Sequence, residues 1–434
     1  MGDATAHTGW EADLEARLCR ALDVGKRVIA TFASEGYADT ETPANSFHPE
    51  KPIAETAMLI YLASGVRHLP SVALRIAEIA ELLVPHARSN QTLLSMALHP
   101  ALCLYLAVPH ILLSKLGYGD PRIDDFLRSC LAAQVRNGRA RPPFGSLEEQ
   151  WIESLWTGAE PDPVWYQHLH DSVLSRPLDI LGGFRDDGYA FTHVLMYATD
   201  FGFRSAFLPR ERSVILEEAS SLLAKTLDDE DYDLAGEVLL TWPLIGAPWS
   251  APPAFAFRVL ASVEDHVGIL PSGTTKPDRL GRLEGKEKAR YALATAYHTV
   301  YVMGFLCASS LRAGRAPPTR IAGPSFDERF VDHLLSVLDH DQGHWQAQLA
   351  ELSEAERNPL CPFLLDLALV QKCRKRDYQA VSELLTSAYQ RGLARSPLCG
   401  QSAELLERLA GYWRFASNRP NNARVDNAPS SGFG

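Results

Sequence analysis

Cysteine is sparse in this chain, and what there is does not pair. Cys19, Cys103, Cys130, Cys307, Cys361, Cys373 and Cys399 make an odd count with no C-x-x-C spacing. That usage argues against a disulfide framework and predicts the cytoplasm as the compartment. Long apolar runs are missing as well. The nearest candidates, 98–116 and 291–308, are each broken by His, Thr, Tyr or Pro and read as buried core helices rather than membrane spans. The first 30 residues hold five acids and no apolar h-region, so no secretory signal is expected. There is no basic excess: 42 Lys and Arg face 53 Asp and Glu, for a net charge of −11. Nucleic acid and anionic membranes both select a basic face, so neither is an expected partner. Also absent are G-x-x-x-x-G-K-[ST], G-x-G-x-x-G after a strand, G-x-S-x-G and H-E-x-x-H. His340 and His344 flank a glycine turn with Asp339 and Asp341 and read as a solvated loop. The expectation is therefore no cofactor and no metal.

What is abundant is apolar residues at helical spacing. Hydrophobic types make up 46% of the 434 residues, enough for a sizeable core. The period recurs over 10–32, 49–63, 70–87, 99–116, 122–137, 147–157, 163–175, 188–204, 211–227, 231–244, 252–266, 286–312, 326–338, 357–373, 377–392 and 401–417. No run alternates with period two, so the fold class is all-α. Short links carrying Gly or Pro join successive helices as antiparallel αα-hairpins. Such hairpins close into an α/α toroid or stack as an α-solenoid. Helices apolar on every side, at 98–116, 189–203 and 291–308, favour the toroid, whose inner ring buries them. The chain reads as one helical domain over 1–417, with a possible seam at the basic turn 136–145 and a disordered tail at 418–434. The loop 267–285 is long enough to suggest a functional lid.

Two polar stripes interrupt this apolar pattern. In 188–202, Tyr189, His193 and Tyr197 are spaced by four and share a helix face, with Asp200 following in the same stripe and Thr192 and Thr199 beside it. In 286–312, Tyr291, Thr295, His298 and Tyr301 form a second such face. Ionisable groups on core helices must find partners or shift their pKa, which is what acid/base catalysis requires. The blander reading is a pair of structural histidines that tie helices together. Asp233 and Glu237, four apart ahead of an apolar run, are candidate inward carboxylates. His266, ending a helix at the start of the long loop, is a candidate substrate contact. The catalytic set is thus His193, Asp200, Tyr189, Tyr197 and His298. The substrate-binding set is Tyr291, Tyr301, Glu237, Asp233 and His266.

The Y-A-F-T-H-x-x-x-Y-x-T-D-F-G string at 189–202 and the A-Y-H-T-x-Y-x-x-G string at 296–304 resemble sparsely characterised helical proteins of bacterial specialised-metabolism clusters. The layout is similar to that of the α/α-toroid cyclases that close thioether rings in lanthipeptides. Those enzymes hold zinc with an adjacent Cys-His pair, which this sequence lacks. The resemblance implies a metal-independent cyclase or lyase acting on a modified ribosomal peptide. In that reading His193 is the base, oriented by Asp200, and Tyr189, Tyr197 or His298 gives the proton back. Two alternatives stand beside it. One is a helical scaffold that binds a peptide or a pathway partner protein. The other is a metal-dependent oxygenase or hydrolase with His193, His298, Asp200 and Glu237 as ligands.

Overall fold

A computed structural model describes residues 9–132, 142–312, 314–339 and 343–417. Among them the chain is all-helical. Its first half runs α1 (Gly9–Phe32), α2 (Glu50–Ala63), α3 (Pro70–Ala87), α4 (Asn90–Leu98), α5 (Cys103–Lys115), α6 (Pro121–Ala132), α7 (Pro143–Thr157), α8 (Pro163–His170), α9 (Arg185–Ala198), α10 (Arg212–Asp228) and α11 (Tyr232–Leu239). The second half runs α12 (Thr241–Ile245), α13 (Ala251–Val267), α14 (Pro277–Arg282), α15 (Gly285–Ser310), α16 (Glu328–Val337), α17 (His344–Glu351), α18 (Glu354–Arg357), α19 (Cys361–Arg374), α20 (Tyr378–Gln390) and α21 (Pro397–Ser417). The one β-type pairing among the described residues is the isolated Tyr37–Phe47 bridge. Most of the basic turn 136–145, the tail 418–434, and His340 with Asp341 lie outside the described residues.

Local chemistry explains most helix ends. Ser89, Asp162 and Asp231 accept first-turn N–H groups as N-caps of α4, α8 and α11. Proline opens α3, α7, α8 and α14, where a missing N–H costs nothing. The expected 99–116 helix forms as α5, entered through a tight turn at Pro100–Leu102, and α4 before it, where no helix was expected, meets it at 112°. The expected 231–244 helix breaks at Leu240, because Pro243 cannot donate to the carbonyl one turn back. The 188–204 segment stops at Ala198, since Asp200, Phe201 and Gly202 all turn left-handed (φ 47°, 50° and 80°). The long loop carries the short α14, and α17 and α18 fill a stretch where no helix was expected.

α15 is the axis of the core. It packs along α1, α2 and α11, while α9 lies against α7, α11 and α12. α15 is also long and apolar enough to cross a membrane, but its apolar stretch is 83% buried by other helices. Two glycines set its close approaches. A Cβ on Gly304 would stand 2.8 Å from both Ala21 and Leu59, and one on Gly236 would stand 2.7 Å from Val302 Cγ1. The second approach presses α11 onto α15, and with it the carboxylates of α11 onto the polar stripe of α15.

Candidate active site

Four helices bring their polar stripes to one cleft of about 860 Å³. α11 supplies Asp233 and Glu237, one turn apart on the face that Gly236 seats against α15. α15 supplies His298, α9 supplies Tyr189 and His193, and α2 supplies Glu55. The mouth is lined by 44–47 and by Ser272, Gly273 and Thr274 of the long loop.

His298 is the centre of charge. Its Nδ1 stands 3.3 Å from Glu55 Oε1, and its Nε2 stands 3.8 Å from both Asp233 Oδ1 and Glu237 Oε1. Burial by itself would lower the pKa of this imidazole. The charge of Glu55, with Glu237 and Asp233 close by, outweighs it, and the pKa is held well above the usual histidine value. Glu55 responds reciprocally. Burial would raise it, but His298, together with Lys51 one turn away, holds it below the ordinary glutamate value. Glu55 Oε2 is buried without a hydrogen-bond partner among the described residues, so its charge answers to that imidazole.

The carboxylates of α11 are each held by neutral hydroxyls. Tyr189 donates to Asp233 Oδ2 at 2.7 Å and Thr299 to Oδ1 at 3.0 Å. Thr192 donates to Glu237 Oε2 at 2.6 Å. Burial and the charge of Asp233 push the Tyr189 phenol far up, so it stays a donor. His193 is about a third exposed to the cleft, with Nδ1 at 2.7 Å from the Tyr189 carbonyl and 3.6 Å from Glu237 Oε2. A nitrogen that close to a carbonyl oxygen carries the proton. With the proton on Nδ1, Nε2 is the nitrogen that presents a lone pair whenever the ring is neutral.

Of the residues singled out from the sequence, Tyr189, His193, Asp233, Glu237 and His298 line the cleft together. The others do not. Asp200 was expected to continue the His193 stripe and orient its ring. It sits past the helix end in left-handed backbone and accepts from Trp151 Nε1 at 2.7 Å and Tyr61 OH at 2.9 Å. Tyr197 is buried against Trp151 and donates to Glu148 at 2.9 Å. Tyr301 shares a 2.6 Å hydrogen bond with Thr56 inside the α2–α15 contact. Tyr291 turns to the long loop, accepting from the Lys276 N–H at 2.9 Å beneath the Arg279 guanidinium. That loop is further pinned by Arg279 on Asp39 and by Thr274 on the Thr295 carbonyl. His266 is exposed at the end of α13, beside His344.

Glu55 was missed. It is an acid ahead of an apolar run, the same signal that marked Glu237, but its place early in α2, where the helix dipole favours an acid, accounts for it without a site. Asp233, Glu237 and His298 each offer an atom within 4.8 Å of the others, so these three could hold a divalent cation. Each would be oriented by its own outer partner: Tyr189 and Thr299, Thr192, and Glu55.

No curated protein and no solved structure matches the chain. One family model does, described as a domain of unknown function, DUF6895, over residues 18–308, which takes in every residue lining the cleft. By that match, covering about two thirds of its length, the chain belongs to the DUF6895 family.

Proposed function

We propose that this chain is an enzyme performing proton-transfer chemistry in the α2–α9–α11–α15 cleft, most concretely thioether ring closure or elimination on a modified ribosomal peptide in the cytoplasm of a bacterium. The observation that carries the reading is the convergence of two imidazoles, His193 and His298, with the carboxylates of Glu55, Asp233 and Glu237 in one open cleft. In this reading His193 Nε2 takes the proton of a substrate thiol. The thiolate forms a C–S bond to the β-carbon of a dehydrated residue, and the displaced electron pair moves onto the conjugated carbonyl. His298, held protonated by Glu55, Glu237 and Asp233, then protonates the α-carbon. Addition consumes no oxidant and releases nothing. The choice of thioether chemistry rests on the sequence resemblance alone, and a peptide is the expected partner. A second reading follows from the Asp233–Glu237–His298 cluster: a bound divalent cation in place of the His298 proton, polarising the substrate carbonyl.

The test joins elemental analysis of the purified chain to product formation in the native gene context with His193→Ala and His298→Gln. Ring closure leaves mass unchanged, so the readout is alkylation of free cysteine thiols in the peptide. Folded variants that leave those thiols free, with no metal in the wild-type protein, support acid/base catalysis. Stoichiometric metal lost in Asp233→Asn selects the cation reading. Unimpaired variants would leave a binding scaffold and overturn catalysis.

A further inference from the structure

A second polar cavity lies at the far end of α9, away from the cleft and independent of its chemistry. It measures about 240 Å³ and is walled by the loop after α9, the start of α10, the end of α12 and the segment after α15. Arg204, Arg212 and Arg315 line it with Ser205, and no Asp or Glu does. Arg210 nearby is spent on Glu218, which it grips with both nitrogens at 2.7 and 2.5 Å. Of the acids nearest in sequence, Asp200 is taken by Trp151 and Tyr61, and Glu211, next to Arg212, is exposed and does not line the cavity.

Part of this positive charge has a structural use. Arg204 donates from Nε and Nη2 to the carbonyls of Ala198 and Tyr197, Arg315 donates from Nη1 to Gly202, and the adjacent Arg312 donates to Phe201. These bonds close the carbonyl end of α9, where cations are favoured. They leave Arg204 Nη1 and Arg315 Nη2 unspent among the described residues, and Arg212, the first residue of α10, closes nothing. Arg312 adds charge from behind: its Nε and Nη2 are buried without partners, and burial next to Arg315 pushes its pKa down to about 10. Several guanidinium groups around one small acid-free space carry more charge than one carboxylate would balance. The planar forks of arginine match phosphoryl oxygens.

We infer that this arginine-lined cavity is a binding site for a dianionic phosphoryl group. The group is either inorganic phosphate or the phosphorylated end of a larger ligand. Its oxygens bridge Arg212 on α10 to Arg204 and Arg315, and so lock the loop that ends α9.

The test is calorimetric titration of the full chain with inorganic phosphate, against acetate at equal ionic strength, followed by a phosphoserine peptide. Saturable phosphate binding is expected, with none for acetate. Arg212→Gln, an exposed change that breaks no internal bond, weakens binding about tenfold, the worth of one charge-assisted hydrogen bond. Arg128→Gln, on another surface, leaves it unchanged. Equal affinity for phosphate and peptide assigns the free ion, and tighter peptide binding assigns a phosphorylated ligand. Heat that phosphate and acetate produce alike, or Arg212→Gln binding as the parent does, overturns the inference.

Discussion

Asp366→Asn measures how much of this fold's polar core is held against desolvation. Asp366 lies on α19 and is 3% exposed. Its carboxylate accepts Ser221 Oγ at 2.7 Å and Ser396 Oγ at 2.5 Å, and no cation pairs with it among the described residues. Burial pushes its pKa up to about 6, with the two serine bonds pulling the other way. An unfolded aspartate titrates near 3.9, so the shift is about 2 units, or about 3 kcal/mol. The pKa is raised, so the folded state binds the proton more tightly. Its cost is absent below about pH 4, grows as pH rises through about 6, and is complete at pH 7.5. Asparagine removes the charge and keeps groups that both hydroxyls can bond. The variant should therefore gain about 3 kcal/mol at pH 7.5, a rise of about 3 °C in Tm for a chain of this size. At pH 4.5 the gain should shrink to about a third of that. Thermal melts of both proteins across pH 4.5–7.5 check it. An offset that does not change with pH, or an asparagine variant less stable at pH 7.5, would refute the reasoning by showing that the serine bonds outweigh desolvation.

Two further outcomes follow from packing. Gly236→Ala places a methyl 2.7 Å from Val302 Cγ1, on a branched side chain that cannot swing aside. It should cost about 1–3 kcal/mol in denaturant unfolding, and Val302→Ala in the same chain should restore most of that loss. Arg17, 2% exposed, bonds Asp13, Glu264 and Asp265, and Glu264 is itself buried. Arg17→Met leaves that carboxylate only the looser Arg20 contact at 3.4 Å and should cost about 3 kcal/mol by the same measurement, a loss that Glu264→Gln partly relieves.

The sequence by itself determined the helices, because periodicity, caps and prolines act within a turn or two of the chain. It also marked Tyr189, His193, Asp233, Glu237 and His298 as polar groups on apolar faces, where an isolated charge is costly. Asp200 shows where local spacing fails. Its place in the stripe assumed two more helical residues, and the turn of Asp200, Phe201 and Gly202 into left-handed backbone sent it to Trp151 instead. Tyr291 and Tyr301 show the same limit on α15. A helix buried on all sides has several inward faces, and spacing does not say which neighbour each will meet. Only the tertiary structure decided that α2 and α11 press on α15 and that α9 packs beside them on α11. That choice rests on contacts between residues far apart in the chain, such as Gly236 on Val302 and Gly304 on Ala21 and Leu59. Glu55 became part of the candidate site by that packing alone, since its partner His298 lies on a helix that no local pattern connects to its own.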